Sequence, residues 1–132
     1  MKKIIGILLL VFIANTSFSQ NKKLNWLKAD WEGEANQPLA MSQQDWPMEI
    51  TFNKEKNSFQ VNYASFPCGG NWKFIEGNKR KAVFIEELTS GKNKCAANIR
   101  IEIKKINKKK ASITFYLPDS DIIDATGFIR KK

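Results

Sequence analysis

Beyond residue 20 the chain alternates between apolar and polar positions. Met48, Ile50 and Phe52 are spaced by Glu49 and Thr51, and Phe59, Val61 and Tyr63 by Gln60 and Asn62. The same beat returns in Ile99, Ile101 and Ile103, in Ile113, Phe115 and Leu117, and in Ile123, Ala125, Gly127 and Ile129. A period of two places one face of a strand in a core and the other in water, and no stretch here holds the 3.6 period of a helix. Eight strands are predicted, over 27–36, 47–53, 58–63, 70–76, 81–88, 96–106, 111–117 and 122–130.

Short polar segments, Lys54-Glu55-Lys56-Asn57, Gly77-Asn78-Lys79-Arg80 and Asn107-Lys108-Lys109-Lys110, join three of the strand pairs. Turns this short force antiparallel neighbours. Eight strands, each with one apolar face, are satisfied most simply by closure, which removes exposed edges, so the predicted fold is all-β: a single eight-stranded antiparallel up-and-down barrel. The three tight turns fall at one end, the turn end. The other connections, 37–46, 64–69, 89–94 and 118–121, the first three of them longer, fall at the opposite end, the loop end, and if the barrel has a mouth it lies there.

The start of the chain has a different pattern. Met1-Lys2-Lys3 is a short basic stretch, Ile4 to Ile13 is nearly all apolar, and Ser17-Phe18-Ser19 has the small-x-small form that signal peptidase reads. That apolar run is about half of the ~20 residues a membrane-spanning helix needs. Residues 1–19 are therefore read as a signal peptide cleaved after Ser19, and 20–132 as one exported β-barrel domain, secreted or periplasmic, read as a monomer without a membrane span. The remaining length suits one modest core and not two.

Export changes the meaning of the two cysteines. An even count in an oxidising compartment reads as a disulfide, Cys68 to Cys95. A metal site is not expected, since two thiolates cannot close a tetrahedral site and the chain has no histidine. Both cysteines fall at the loop end, but the strands they precede are separated by a third, about 9–10 Å across two ladder spacings. At least one cysteine must therefore sit in a loop that leans over the intervening strand. Closing the segment stabilises by roughly 3.5 kcal/mol in the loop-entropy account.

Trp31-x-Gly33, Tyr63-x-Ser65-x-x-Cys68-Gly69-Gly70, Phe84-x-Glu86, Cys95 and Ala125-x-Gly127-x-Ile129 together resemble a group of small exported bacterial β-barrel domains, over most of the mature chain. The strand order is also similar to that of calycins, the lipocalin- and avidin-like barrels that hold ligands. Trp31 precedes Gly33, however, where the lipocalin opening has glycine first, and no avidin biotin ligand maps onto a position here. The resemblance implies the fold and the disulfide and carries over no ligand. It also favours Phe84 and Glu86 as inward residues on the fifth strand, whose two faces are both partly apolar.

Candidate site residues follow from the barrel. Trp46 and Phe66, on predicted loops at the loop end, and Glu86 are the candidate ligand contacts. A buried Glu86 needs a partner, for which Arg100 and Arg130 are candidates. The aromatics Trp31, Phe52, Phe59, Tyr63, Trp72, Phe74, Phe84 and Phe115 either line a cavity or fill it, and an eight-stranded barrel has room for side chains or one small ligand. Consecutive glycines at 69 and 70 read as a strand entrance at positive φ beside the disulfide. Asp119-Ser120-Asp121 reads as a turn, since a calcium loop needs further ligands.

The formal net charge is +9, including Lys2 and Lys3 of the leader. Lys79, Arg80, Lys108, Lys109 and Lys110 gather it at the turn end, where an anionic polymer such as lipopolysaccharide, an acidic glycan or extracellular DNA is one expected partner. Without histidine, and with no nucleophile beside a base, catalysis is not expected, and no cofactor is expected. The leading expectation is a non-catalytic barrel that binds a small molecule or a partner at its loop end. A polyanion-binding surface protein and an inhibitor of a secreted hydrolase are the alternatives.

Overall fold

The alternation becomes eight strands in the computed structural model, which describes residues 23–37, 45–64, 68–91, 95 and 97–132. The predicted leader, 1–19, lies outside the described residues. The strands are β1 (Trp31–Asn36), β2 (Asp45–Asn53), β3 (Ser58–Tyr63), β4 (Gly69–Gly77), β5 (Lys81–Ser90), β6 (Arg100–Lys105), β7 (Lys110–Tyr116) and β8 (Ile123–Lys131). Each pairs antiparallel with its neighbours in sequence, and β1 pairs with β8, closing an up-and-down barrel. Outward positions such as Glu32 and Glu34, Glu49 and Thr51, and Gln60 and Asn62 are exposed. A band this polar faces water, not lipid.

Each turn-end connection is held by one asparagine. The Asn53 side chain accepts from the Lys56 amide, Asn78 from Arg80 and Lys81, and Asn107 from Lys109 and Lys110. Such side-chain turns compete well with extended backbone and make the reversals sharp.

The closing seam explains two glycines. Gly33 lies opposite Ile129 and Ala35 opposite Gly127. A Cβ on Gly33 would collide with the Phe128 carbonyl, and one on Gly127 with the Glu34 carbonyl. The first and last sequence motifs therefore meet, and their glycines let the two backbones approach.

The first strand is shorter than predicted. Residues 23–30 turn back instead of extending, with the Leu27 amide donating to the Leu24 carbonyl at 2.9 Å. Leu24 and Leu27 are buried, the Trp31 indole donates to the Leu27 carbonyl at 2.8 Å, and the Trp26 indole donates to the Asn78 carbonyl. This segment caps the turn end of the core. A closed barrel end needs apolar cover that its strands do not supply, and that requirement outweighs extension of β1. The sixth strand likewise begins at Arg100, not 96, because Asn98 takes a positive φ of 61°.

Ile123 is not inward as its alternation suggested. The β7–β8 register shifts beside Phe115, which pairs with Ala125 while Tyr116 pairs with Ile123, and Ile123 is left exposed. On β5, Ala82, Phe84 and Glu86 are buried and face inward, as the resemblance implied, although Val83 is buried too.

Cys68 and Cys95 are joined. Their Cα atoms are 6.5 Å apart, within disulfide range and shorter than two ladder spacings. Cys95, whose amide donates to the Gly91 carbonyl, is the residue that leans over β5.

Candidate functional site

The barrel interior has two unlike halves. Towards the turn end, Phe59 meets Trp72 and Phe84 at ring-centre distances of 6.3 and 5.5 Å, and Phe74 meets Phe84 at 5.9 Å. With Trp31 and the leucine cap this half is filled. Towards the loop end lies a cavity of about 280 Å³, walled by Trp46, Tyr63, Glu86, Leu88, Ile99, Phe115 and Leu117, with both cysteines, Gln37 and Asp124 at its margin. The question left open by the aromatic content thus has a divided answer.

Trp46, Tyr63 and Phe115 form one wall. Their ring centres are 5.6 to 6.4 Å apart, with Trp46 edge-on to Tyr63. That spacing is contact distance, so a guest lies against the wall and not between its rings.

Glu86 is the one buried charged residue among the described residues. One carboxylate oxygen, Oε2, accepts from the Tyr63 hydroxyl at 2.9 Å; the other, Oε1, is buried and has no hydrogen-bond partner. Burial, partly offset by that hydrogen bond, pushes the Glu86 carboxyl up from 4.5 to about 7. Burial and the neighbouring Glu86 also push the Tyr63 phenol well above its usual range. Glu86 thus changes charge near neutral pH while Tyr63 keeps its proton, and the pair is polar in an otherwise apolar chamber.

The expected partners of Glu86 are not its partners. Arg100 lies on the outer face, where it bonds Asp121 at 2.8 Å and stacks over Tyr116, and Arg130 is exposed. Tyr63 takes the role because of what stands between. It is on β3 and Glu86 on β5, so the hydrogen bond must cross β4, and the intervening residue is Gly70. A Cβ there would lie 2.9 Å from Glu86 Cγ and 3.0 Å from Oε1. Gly69 and Gly70 are strand residues, and the one glycine of positive φ among the described residues is Gly91. The consecutive glycines give space, not a left-handed turn.

Trp46 is a buried residue of β2, not a loop residue, because it pairs with Ala35 and turns its ring inward. Phe66 lies outside the described residues. The structure therefore brings Trp46 and Glu86 together and adds Tyr63, Leu88, Ile99 and Phe115. The signal for Tyr63 was present in the sequence: it ends an alternating strand on the inward face at the loop end.

Lys79, Arg80, Lys108 and Lys109 are exposed at the opposite end, while Lys110 is half-buried with its ammonium over the Phe128 ring. A larger groove of about 690 Å³ runs along the outside over the β1–β8 seam, where Gly33 and Gly127 present no side chains. Among the described residues no three potential metal ligands come together, and no helix is long and apolar enough to cross a membrane. No protein-family model, curated protein or solved structure matches this chain.

Proposed function

We propose that this is an exported, monomeric, non-catalytic binding protein that holds a small molecule in the loop-end cavity, an apolar body against the Trp46–Tyr63–Phe115 wall and a cationic hydrogen-bond donor on Glu86. The observation that carries the reading is Glu86 Oε1, which is buried beside the cavity without a partner. An unpaired buried acceptor is costly, and a guest that supplies a donor recovers that cost. Asp45 and Asp124 at the same end favour a positive guest. The volume, just under the usual pocket range of about 300–1,000 Å³, suits a small one. Both sulfurs at the margin are held in the disulfide, which leaves them unavailable as nucleophiles. Export accords with that disulfide and with the leader pattern.

A panel of small aryl- and alkylamines, each matched with a hydrocarbon of the same shape, tests this by titration calorimetry. The amines should bind more tightly, the difference should vanish in Glu86→Gln, and Leu88→Trp should fill the chamber and abolish binding of both. Equal affinity for amine and hydrocarbon would remove Glu86 from the site. Native mass spectrometry of protein from its own host should show a basic small molecule released on denaturation.

A further inference from the structure

At the turn end, backbone hydrogen bonds link neighbouring basic segments into one arc. The Lys105 amide donates to the Arg80 carbonyl at 2.8 Å, joining the β4–β5 turn to the end of β6. The Lys131 amide donates to the Lys109 carbonyl at 2.9 Å, joining the β6–β7 turn to the end of β8. Among the described residues Lys79, Arg80, Lys104, Lys105, Lys108 and Lys109 take part in no ion pair; the nearby pairs use Lys81 and Lys132. In the middle of the arc stands Ile106, half exposed, on a turn whose backbone is fixed by Asn107.

Basic clusters of this size attract anionic surfaces of several kinds. Ile106 discriminates among them. An apolar side chain held out among lysines gains nothing from a glycan or a nucleic-acid backbone, whereas in a lipid interface it reaches the boundary of headgroups and acyl chains. The two turns of the arc, 78–80 and 106–109, also carry no aromatic residue on which nucleic-acid bases could stack, and the neighbouring Trp26 is partly buried against the core with its indole tied to the Asn78 carbonyl.

We infer that the turn end docks on a membrane surface rich in anionic lipid headgroups, with Ile106 entering the interface and the lysines and Arg80 around it meeting the headgroups. The barrel then stands on its capped end and its cavity faces the aqueous phase. The leucine cap and the Asn-anchored turns make this footing rigid, so docking needs no refolding.

Co-sedimentation with vesicles tests the inference. The protein should bind phosphatidylcholine vesicles that contain phosphatidylglycerol and ignore phosphatidylcholine alone, and raising the salt should release it. Replacing Lys105, Lys108 and Lys109 by Gln should weaken binding roughly a hundredfold, at about the usual contribution of one basic residue each. Ile106→Ser should weaken vesicle binding while heparin binding stays unchanged. A Tm no lower than that of the wild type in both variants confirms that the exposed turns have kept their fold. Equal binding to both vesicle types, heparin binding without vesicle binding, or an Ile106→Ser protein that binds vesicles like the wild type would each overturn the inference.

Discussion

Glu86 links stability, acidity and binding in one side chain. In the folded barrel it keeps its proton up to about pH 7, whereas the unfolded chain gives it up near 4.5. The folded state therefore holds more protons in that window. The stability contributed by Glu86 is complete below 4.5 and is lost as pH rises to about 7, by about 3 kcal/mol across the window. Urea melts of Glu86→Gln should lack this slope and should show a barrel more stable than the wild type above pH 7; parallel profiles would mean that the carboxyl is not desolvated. An amine guest favours the ionised form, so its affinity should fall as the pH is lowered through 7. Two residues of the filled half are simpler. Trp31 and Trp72 are buried, and replacing either by Ala should cost about 3–5 kcal/mol in the same melts. Their burial was legible from alternation alone. The Glu86 partnership was not, because alternation gives the face of each residue but not which inward side chains of non-adjacent strands can touch.

Gly70 shows why that information was missing. Contact between β3 and β5 across β4 depends on the absence of a side chain, and a glycine in a strand pattern is equally consistent with a bulge or a turn. Gly70→Ala should place a methyl group against the Glu87 carbonyl and the Glu86 side chain, displace the carboxyl from Tyr63 and leave it buried without its donor. A cost of about 1–3 kcal/mol is expected, together with loss of amine selectivity. Tyr63→Phe should reproduce the loss of the donor without the crowding, which separates the two effects. The strand ends depart from the alternation for a related reason. Residues 23–30 carry apolar positions, as a strand would, but they serve the cap, and Leu27→Ala should cost about 2–5 kcal/mol although Leu27 belongs to no strand. Reducing the Cys68–Cys95 disulfide should lower Tm, since the bridge restricts the unfolded chain and ties Cys95 over β5. The pairing followed from an even cysteine count in an exported chain, while its end of the barrel and the leaning loop followed from strand order, because antiparallel neighbours leave no freedom in which end a connection occupies.

At the scale of the whole barrel the same strand order makes the molecule electrically polar. The turn end gathers lysines and arginines, while the loop end carries Asp45, Asp119, Asp121 and Asp124 beside the buried Glu86, opposed in the sequence by Lys92 and Lys94 and with Asp121 bound to Arg100. Three ion pairs are present among the described residues, and each has at least one well-exposed or half-exposed partner. Pairs of this kind contribute about 0–1 kcal/mol, less than the mutual repulsion of so many unpaired cations on adjoining turns. Salt acts on both, but repulsion has more to lose. Between about 0.01 M and 0.15 M salt the screening length contracts from about 30 Å to about 8 Å, which is enough to uncouple one turn from the next. Tm should therefore rise with ionic strength over that range, against the usual weakening of ion pairs, and multivalent anions should raise it further by settling in the arc. The variant with Lys105, Lys108 and Lys109 replaced by Gln should start from a higher Tm at low salt and respond less. Calorimetry at fixed pH measures both slopes, and a wild-type Tm that falls or stays level with salt would mean that the basic turns lie too far apart to feel one another.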